Sequence, residues 1–169
     1  ICPVNIVLNL LSNKIGIPYD DKGFESSKGI INVELLKSLN KLEYFSQTFP
    51  KSLAWEWVIK EVIPLLDASG ISVKNQMRTF VEHVVFQINR VILTHEIQSV
   101  LITGGGAHND FLLARLNAIS PCLCQKADNK LIENKEAMCF AFLGLLRMKN
   151  EINIWSSTYL KLDEHSVPF

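Results

Sequence analysis

The chain has 169 residues, of which 48% are hydrophobic, and its 17 basic residues balance 17 acidic ones. This length and apolar content allow one well-packed core, so we expect a single domain or one lobe of a larger protein. A neutral net charge without a basic stripe argues against a surface that binds nucleic acid or an anionic membrane.

The N-terminal region predicts a helix and no targeting segment. The apolar start of the chain lacks basic residues and contains Asn5 and Asn9, so we do not expect a signal peptide. Pro3 suits the first turn of a helix, which Gly16 and Pro18 should end. Asn5 and Asn9 share one helical face, which meets either a ligand or solvent. Because the chain starts with isoleucine just before this helix, we expect a fragment or a C-terminal lobe.

The next segments predict a loop and a second helix. Residues 19–29 are polar and contain two glycines, with no apolar period, which is typical of a loop. Asn32 suits the cap position of a short helix whose apolar residues recur at positions 33, 36, 39 and 42.

An aromatic-rich segment and a long helix follow. Ser52 suits the cap position of a helix that carries Trp57 into the core, and Pro64 should end or kink this helix. The aromatic side chains near Lys51 either form a platform for a sugar or pack in the core, and packing is the more common role of tryptophan. Apolar residues recur with a helical period over residues 77–92, which predicts an amphipathic helix that covers a sheet.

The central motif is a strand, three glycines and a helix. Residues 100–103 form a short β-branched run that the glycines at 104–106 stop abruptly. Asn109 or Asp110 can cap the following helix. Residues without a Cβ allow a ligand to approach the backbone, and free N–H groups at a helix start favour a phosphate or a nucleotide. The alternative is that these glycines serve only the turn, since the motif is neither a Walker loop nor a complete dinucleotide fingerprint.

The C-terminal region predicts a second strand and a buried helix. Residues 121–125 form the strand, and residues 136–146 are apolar around almost the whole helical circumference, which is typical of a helix buried on most sides. Glu136 suits the dipole at the start of this helix, or it points a carboxylate into a cleft. Residues 155–169 show no clear period.

The cysteines and histidines do not form a metal-ligand pattern. Cysteines occupy positions 2, 122, 124 and 139, and histidines occupy positions 83, 95, 108 and 165. This spacing predicts free thiols, no bound metal and a reducing cytoplasmic location. The longest apolar run, residues 137–146, is too short to span a bilayer.

Five blocks of the sequence, in order, resemble the motifs of one family. They are ICPVN (1–5), DDKGFESSKG (20–29), PKSLAWEW (50–57), TGGGAHN (103–109) and KEAMCFAFLG (135–144). Together they resemble the C-terminal half of the anhydro-N-acetylmuramic acid kinases, bacterial sugar kinases of the actin, hexokinase and Hsp70 ATPase superfamily. The resemblance covers nearly the whole chain.

The resemblance implies a fold and an activity. The fold would be α/β, a ribonuclease-H-like lobe with helices packed on a mixed sheet. The family uses ATP, with Mg²⁺, and water to open the anhydro bridge of a recycled cell-wall sugar and to phosphorylate it, giving N-acetylmuramic acid 6-phosphate in peptidoglycan recycling.

The resemblance also implies roles for individual residues. On the nucleotide side it suggests Gly104, Gly105, Gly106 and Asn109. On the sugar side it suggests Glu136 and Lys51. The general base of the family is an aspartate that takes a proton from the attacking water. It aligns immediately before Ile1, so this chain contains no catalytic residue of that kind.

Some positions depart from the family pattern. Ala54 and Trp55 stand where the family has glycine and arginine, and residues 157–160 replace a Val-Thr-Gly-Ala-like turn. The family's first lobe, with its own phosphate loop, has no counterpart here, so we expect these 169 residues alone to be inactive. The expected partners are the missing N-terminal lobe, the amino sugar and ATP, with a homodimer as a further option through an exposed lobe face.

Two alternative functions remain open from the sequence. One is a diverged, non-catalytic relative that keeps this lobe for nucleotide binding or for association. The other is a nucleotide-binding α/β module of another class, which a fold without an actin-like mixed sheet would favour.

Overall fold

The computed structural model describes residues 1–48 and 51–153. The chain divides into two compact units, Ile1–Asp128 and Asn129–Phe169. Among the described residues, the first unit contains both strands and the second contains one long helix. Residues 155–169, to which the sequence assigns no clear period, lie outside the described part of the chain.

The elements of the first unit follow one another in this order. The chain begins with α1 (Asn5–Lys14), α2 (Phe24–Ser27) and α3 (Val33–Asn40), and continues with α4 (Trp55–Trp57), a π-helical turn (Val58–Val62) and α5 (Ile63–Ala68). The last elements are α6 (Val73–Thr94), β1 (Ser99–Ile102), α7 (Asp110–Ile119) and β2 (Leu123–Lys126). Turns of 3-10 helix span Asp21–Gly23, Glu43–Phe45 and Gly105–His108. The second unit contains α8 (Asn129–Met148).

Helix α6 lies at the centre of the first unit's core. Its apolar residues recur every three or four positions, as predicted, and Met77, Phe80 and Val84 are completely buried. The hydroxyl of Ser72 caps the helix by accepting a hydrogen bond from the N–H of Asn75 at 3.4 Å. The sequence predicted that this helix covers a sheet. Its main neighbours are instead the helices α1, α2, α3 and α7, because the described sheet has only two strands.

Strands β1 and β2 are parallel, with Ser99 opposite Leu123 and Ile102 opposite Lys126. Helix α7 connects the two strands and packs against both α6 and β2. Because the strands are parallel, their carboxyl ends lie at the same edge of the sheet, where the glycine turn begins. Both predicted strands and the mixed α/β class are confirmed.

The N-terminal segments agree with the sequence only in part. Helix α1 confirms the first predicted helix and ends two residues before Gly16, which has a φ of 78°. The prediction of a loop over residues 19–29 is partly wrong. This segment contains a 3-10 turn and the short helix α2, which the local hydrogen bonds of a buried aspartate stabilise.

Helix α3 has the predicted cap but a different buried face. The side-chain oxygen of Asn32 accepts a hydrogen bond from the N–H of Leu35 at 2.8 Å. The buried side chains are Leu35 and Leu39, whereas Val33, the first residue of the predicted face, is 57% exposed. The face that packs against α6 therefore follows a four-residue spacing, not the predicted three-residue spacing.

The helical run before α6 starts and ends later than predicted. It begins at Trp55, not directly after Ser52, and it continues past Pro64 to Ala68. Proline has no N–H to donate, and Pro64 stands in the first turn of α5, directly after the π-helical turn Val58–Val62. The regular hydrogen-bond pattern is already interrupted there, so the proline does not end the run.

The aromatic side chains around this run pack against one another. Tyr44 and Phe45 are buried. Their ring centroids lie 5.1 Å and 5.9 Å, respectively, from the ring of Trp57. This arrangement supports the packing interpretation of these aromatic residues over the sugar-platform interpretation.

Helix α8 contradicts one prediction. The sequence predicted a helix buried on most sides, but none of the residues of α8, all of which the structure describes, is buried. Its large exposed apolar side chains are Met138, Phe140, Phe142, Leu145 and Met148. A single helix cannot bury the apolar side chains on all of its faces, because burial requires other elements that pack against it. The apolar pattern therefore indicates that another surface covers these side chains. No helix in the described residues is long and apolar enough to cross a membrane.

A buried histidine connects α6 to α3. His83 is completely buried, and its Nδ1 lies 2.7 Å from Oδ1 of Asn40, which also accepts a hydrogen bond from Gln87 at 2.9 Å. Since this oxygen only accepts, Nδ1 of His83 carries the ring proton, and Nε2 is unprotonated in the neutral ring. Burial, with the charge of Arg90 as a smaller cause, lowers the pKa of His83 to about 4.

We expect this histidine to make folding stability depend on pH. The unfolded chain binds the proton with the ordinary pKa of 6.5, whereas the folded chain binds it only near pH 4. The stability contributed by the neutral ring is therefore complete above pH 6.5 and is lost as the pH falls toward 4. The free energy of unfolding from urea titrations should drop by about 3 kcal/mol over this window.

The His83→Gln variant is the control for this measurement. Glutamine can still donate to Asn40 but does not titrate, so the pH dependence between 4 and 6.5 should largely disappear. Glu25, whose pKa is lowered by hydrogen bonds from Lys28 and Lys74, is present in both proteins and cancels in the comparison. Equal slopes of stability against pH in both proteins would contradict the assignment.

Candidate functional site

A cleft of about 620 Å³ lies at the carboxyl ends of the two strands. Four segments that are far apart in the sequence form its walls: the start of α1, residues 19–22, the glycine turn with the start of α7, and the end of β2. The lining residues are Asn5, Leu8, Asn9, Tyr19, Asp20, Asp21, Lys22, Gly105, His108, Asn109, Asp110 and Lys126. The carboxyl edge of a parallel sheet is the usual ligand-binding edge in open α/β folds.

The glycine turn exposes its backbone beside this cleft. Gly104 follows β1 with a φ of 75° and a ψ of −176°, a conformation that is nearly restricted to glycine. The N–H of Ala107 then donates to the carbonyl of Gly104 at 3.0 Å and closes the 3-10 turn. No described atom lies within 4 Å of the position that a Cβ of residue 104 would take. A ligand therefore has room to approach the main chain at this point.

The start of α1 packs against the same turn. A Cβ at position 105 would lie 2.7 Å from Nδ2 of Asn5, so with glycine at position 105 the side chain of Asn5 can lie directly against the turn. Val4, at the cap position of α1, makes no side-chain hydrogen bond in the described structure, so the first N–H groups of the helix favour a negative group. Asn5 and Asn9 both line the cleft, which favours the interpretation in which their shared face meets a ligand.

The carboxylate of Asp20 organises the loop on the opposite wall. It accepts hydrogen bonds from the N–H of Glu25 at 2.7 Å, from the N–H of Ser26 at 3.1 Å and from the hydroxyl of Ser26 at 2.6 Å. These three donors use most of the acceptor capacity of the carboxylate. Asp20 therefore holds the loop in shape, and its buried position leaves little of it for a ligand.

The loop and the glycine turn meet at Gly23 and Asn109. Gly23 has a φ of 77°, and a Cβ there would lie 2.3 Å from Oδ1 of Asn109 and 2.5 Å from Cβ of Phe111. The same Oδ1 accepts a hydrogen bond from the N–H of Leu112 at 2.9 Å and caps α7. One buried asparagine thus ends the glycine turn, starts α7 and contacts the loop.

An ion pair and a cation–π contact fix α7 on α6. Glu82 accepts two hydrogen bonds from Arg115, at 2.6 Å and 3.2 Å, and pairs with Arg78 at 3.1 Å. The hydrogen bond to Glu82 raises the pKa of Arg115 above its ordinary value. Arg78 also lies over the ring of Phe111, 4.7 Å from its centroid. These contacts set the position of the helix whose first residues line the cleft.

The end of β2 contributes a cation to the cleft. The ammonium of Lys126 donates to Nδ1 of His108 at 3.3 Å. Lysine can only donate, so Nδ1 of His108 accepts, and the ring proton is on Nε2. Exposed side chains of Asp21, Lys22 and Asp110 complete the charged lining.

The residues that the resemblance assigns to the nucleotide lie at this turn. Gly105 and Asn109 line the cleft, and Gly104 directly precedes the turn. Gly106 borders an apolar groove of about 480 Å³ on another side of the turn. The side chain of Asn109 is already used in capping α7, so it positions the turn and does not present a free amide oxygen.

The two residues suggested for the sugar side belong to different units, Lys51 to the first and Glu136 to the second. Lys51 donates to the carbonyls of Tyr44 at 3.0 Å and Gln47 at 3.2 Å, and it is not among the described residues that line the cleft. Glu136 is exposed on α8 in the second unit.

Sequence reasoning gave no individual role to several cleft residues. Tyr19, 58% exposed, and Asp20 line the cleft, and the motif block at 20–29 was the available signal for this wall. Lys126 lies outside all five motif blocks. Only the strand pairing, which sets it opposite Ile102, brings it to this edge.

Comparison with known proteins identifies the family of this chain. The anhydro-N-acetylmuramic acid kinase family model matches residues 1–158. The chain belongs to this family. Among proteins named anhydro-N-acetylmuramic acid kinase, that of Sulfurovum sp. (strain NBC37-1) is 30% identical over 155 residues, which cover 88% of this chain and 42% of that protein.

Two other family members match to a similar extent. The kinase of Bordetella avium (strain 197N) is 30% identical over 153 residues, covering 84% of this chain and 40% of that protein. The kinase of Clostridioides difficile (strain 630) is 29% identical over 173 residues, covering 94% of this chain and 45% of that protein. The chain therefore spans somewhat less than half the length of these relatives.

The cleft is formed largely by segments that resemble the motifs of this family. Three of the five family-like blocks, at 1–5, 20–29 and 103–109, supply three of its walls. The contact of Asn5 with Gly105 joins the first block to the glycine turn, and the contact of Gly23 with Asn109 joins the loop to the same turn. The family assignment excludes a nucleotide-binding module of another class.

We expect Gly23→Ala to destabilise the chain far more than Gly70→Ala. Both residues have positive φ, so each alanine incurs about 1 kcal/mol of backbone strain. Only the methyl at position 23 overlaps other atoms, those of Asn109 and Phe111, whereas no described atom lies within 4 Å at position 70. The overlap should add about 1–3 kcal/mol, measured by urea unfolding. Equal losses in the two variants would show that this contact does not constrain the fold.

Proposed function

We propose that this chain is the C-terminal lobe of an ATP-dependent anhydro-N-acetylmuramic acid kinase that acts in peptidoglycan recycling. The observation that carries this proposal is the convergence of three family-like blocks on one cleft at the carboxyl edge of the sheet. In a ribonuclease-H-like lobe, which we propose as the finer fold class, such a cleft would face a second lobe. The activity concerns the whole protein and not these 169 residues alone.

The glycine turn is the proposed nucleotide-binding element. The open space beside Gly104 is a feature of a backbone that a ligand can reach. When bound, ATP supplies the phosphoryl group that the sugar receives. The residues of this chain would hold the nucleotide through main-chain N–H groups, and the general base would come from outside these 169 residues.

The proposed Mg²⁺ would obtain its ligands elsewhere. Among the described residues, no group of three or more histidine, cysteine, aspartate or glutamate side chains is arranged to hold a metal ion. The carboxylate of Asp20 is occupied by three hydrogen bonds. We therefore assign Mg²⁺ to the complete protein with its nucleotide, and derive no step through the metal from this chain.

The general base is proposed to lie outside these 169 residues. In the resemblance, the aspartate that takes a proton from the attacking water precedes Ile1. Asn5 contacts the glycine turn, so the start of the chain runs beside the proposed nucleotide site. Lys51 and Glu136 remain proposed contacts on the sugar side, to be tested in the complete protein.

The free edge of β1 supports a missing lobe. A two-stranded parallel sheet is rarely stable alone, and the described sheet leaves one edge of β1 unpaired. The apolar groove of about 480 Å³ runs along this strand and is lined by residues such as Ile1, Leu101 and Leu113. We propose that the remainder of the protein covers this groove and also the apolar side chains of α8.

The groove along β1 and the apolar side chains of α8 are also the surfaces through which a homodimer would form. In the isolated chain, exposed apolar side chains such as Leu101, 59% exposed, would promote a homodimer. We propose a homodimer only for the chain alone, because the remainder of the complete protein would occupy these surfaces. The four cysteines are free thiols, which is compatible with the predicted cytoplasmic location.

A coupled ADP-release assay with 1,6-anhydro-N-acetylmuramic acid tests the proposal. The complete gene product should release ADP in a sugar-dependent manner and form N-acetylmuramic acid 6-phosphate, identified by mass spectrometry. The 169-residue chain alone should release no sugar-dependent ADP, since it lacks the general base and half of the phosphate-binding groups.

Two results would contradict the proposal. Sugar-dependent turnover by the 169 residues alone would show that the general base is within this chain. Absence of turnover by the complete gene product, with nucleotide binding retained, would favour the diverged non-catalytic relative.

A further inference from the structure

The charged end of β2 is not explained by the family motifs. Lys126 is the last residue of this strand and lies opposite Ile102, the last residue of β1. The N–H of Ala127 donates to the carbonyl of Ile102 at 2.9 Å, which fixes the chain directly after Lys126. The side chain of Lys126 therefore starts from a rigid point at the carboxyl edge of the sheet, beside the glycine turn.

Lys126 has no ion-pair partner among the described residues. Among these residues its polar contact is with the ring of His108, 3.3 Å from Nδ1, and no carboxylate lies within ion-pair distance of its ammonium. The cleft also contains Asp20, Asp21 and Asp110. Asp20 is held by three hydrogen bonds, and Asp110 lies in the first turn of α7, where it complements the helix dipole. Asp21 is exposed at the start of the 3-10 turn and forms no ion pair with Lys126.

The contact also orients His108. Because Nδ1 accepts from Lys126, the ring proton is on Nε2, and this N–H is a further donor on an exposed ring in the cleft. An ammonium and an imidazole N–H next to each other form a pair of donors. Such a pair suits an anion with several oxygen atoms better than a neutral ligand.

We infer that Lys126 and His108 bind the phosphate chain of the nucleotide at the glycine turn. The ammonium of Lys126 donates to a charged phosphate oxygen, and Nε2–H of His108 donates to another. The inference rests on the proposed function, because it takes the phosphate-bearing ligand of the cleft to be a nucleotide. It adds to that function two side chains that determine how strongly phosphate contributes to binding.

The test measures binding by calorimetry in the complete gene product without the sugar. Lys126→Met should weaken ADP binding about tenfold, because one charge-assisted hydrogen bond is lost. Adenosine, which has no phosphate, should bind the variant and the wild type equally. Lys126→Arg should restore most of the ADP affinity, since the charge is retained.

Lys41→Met is the matched control. Lys41 is exposed after α3 and does not line the cleft, so this variant removes one positive charge at a distance and should bind ADP as the wild type does. In the wild type, the ring signals of His108 in an NMR titration should shift on addition of ADP and of inorganic tripolyphosphate.

The outcomes separate this inference from the function on which it rests. If the wild type binds ADP and Lys126→Met binds it equally well, the inference is overturned and the nucleotide site remains. If tripolyphosphate shifts the signals of His108 but no adenine nucleotide binds, the anion site is supported and the proposed ATP site is overturned. If neither probe binds, both are overturned. An equal loss of adenosine and ADP affinity in Lys126→Met would show a structural role and overturn the inference.

Discussion

The contact between Gly23 and Asn109 is the constraint on which the candidate site depends. Two segments separated by more than eighty residues approach so closely that a single methyl group at position 23 would lie 2.3 Å from a side-chain oxygen. Asn109 can occupy this position because the cap of α7 already fixes its side chain. Gly23 can approach it because the hydrogen bond from the hydroxyl of Ser26 to the carboxylate of Asp20 fixes the conformation of the loop. The cleft follows from these local hydrogen bonds and from the absence of one Cβ.

The core makes this constraint rigid. Helix α6 holds α7 through the ion pair of Glu82 with Arg115 and through Arg78, which lies over the ring of Phe111. It holds α3 through the neutral, buried His83. The cleft is therefore built on packed helices, although its lining comes mainly from turns. The fold supplies three of the four walls from family-like motifs and the fourth from Lys126, which the parallel pairing of β1 and β2 brings to the same edge.

The sequence predicted what local chemistry determines and missed what tertiary packing decides. The strand before the glycines and a cap for α7 at Asn109 or Asp110 followed from residue types that have few alternatives at such turns, and the structure shows that Asn109 is the cap. The path through Pro64 did not, because a π-helical turn before it relieves the lost hydrogen bond. The exposure of α8 could not be predicted, since an apolar circumference shows the need for cover and not whether the chain supplies it. Lys126 was missed because a strand end has no side-chain signature of its own.

The most direct test of the central claim is an amide NMR titration of the complete gene product with ADP. If the cleft binds the nucleotide, the amide signals of Asn5, Lys22, Gly105 and Asn109 will shift together and saturate at one ADP concentration, because these residues line the same cavity. Saturable shifts confined to residues outside the cleft, such as Trp57 and its aromatic neighbours, would contradict the account. The absence of any saturable shift would contradict it as well.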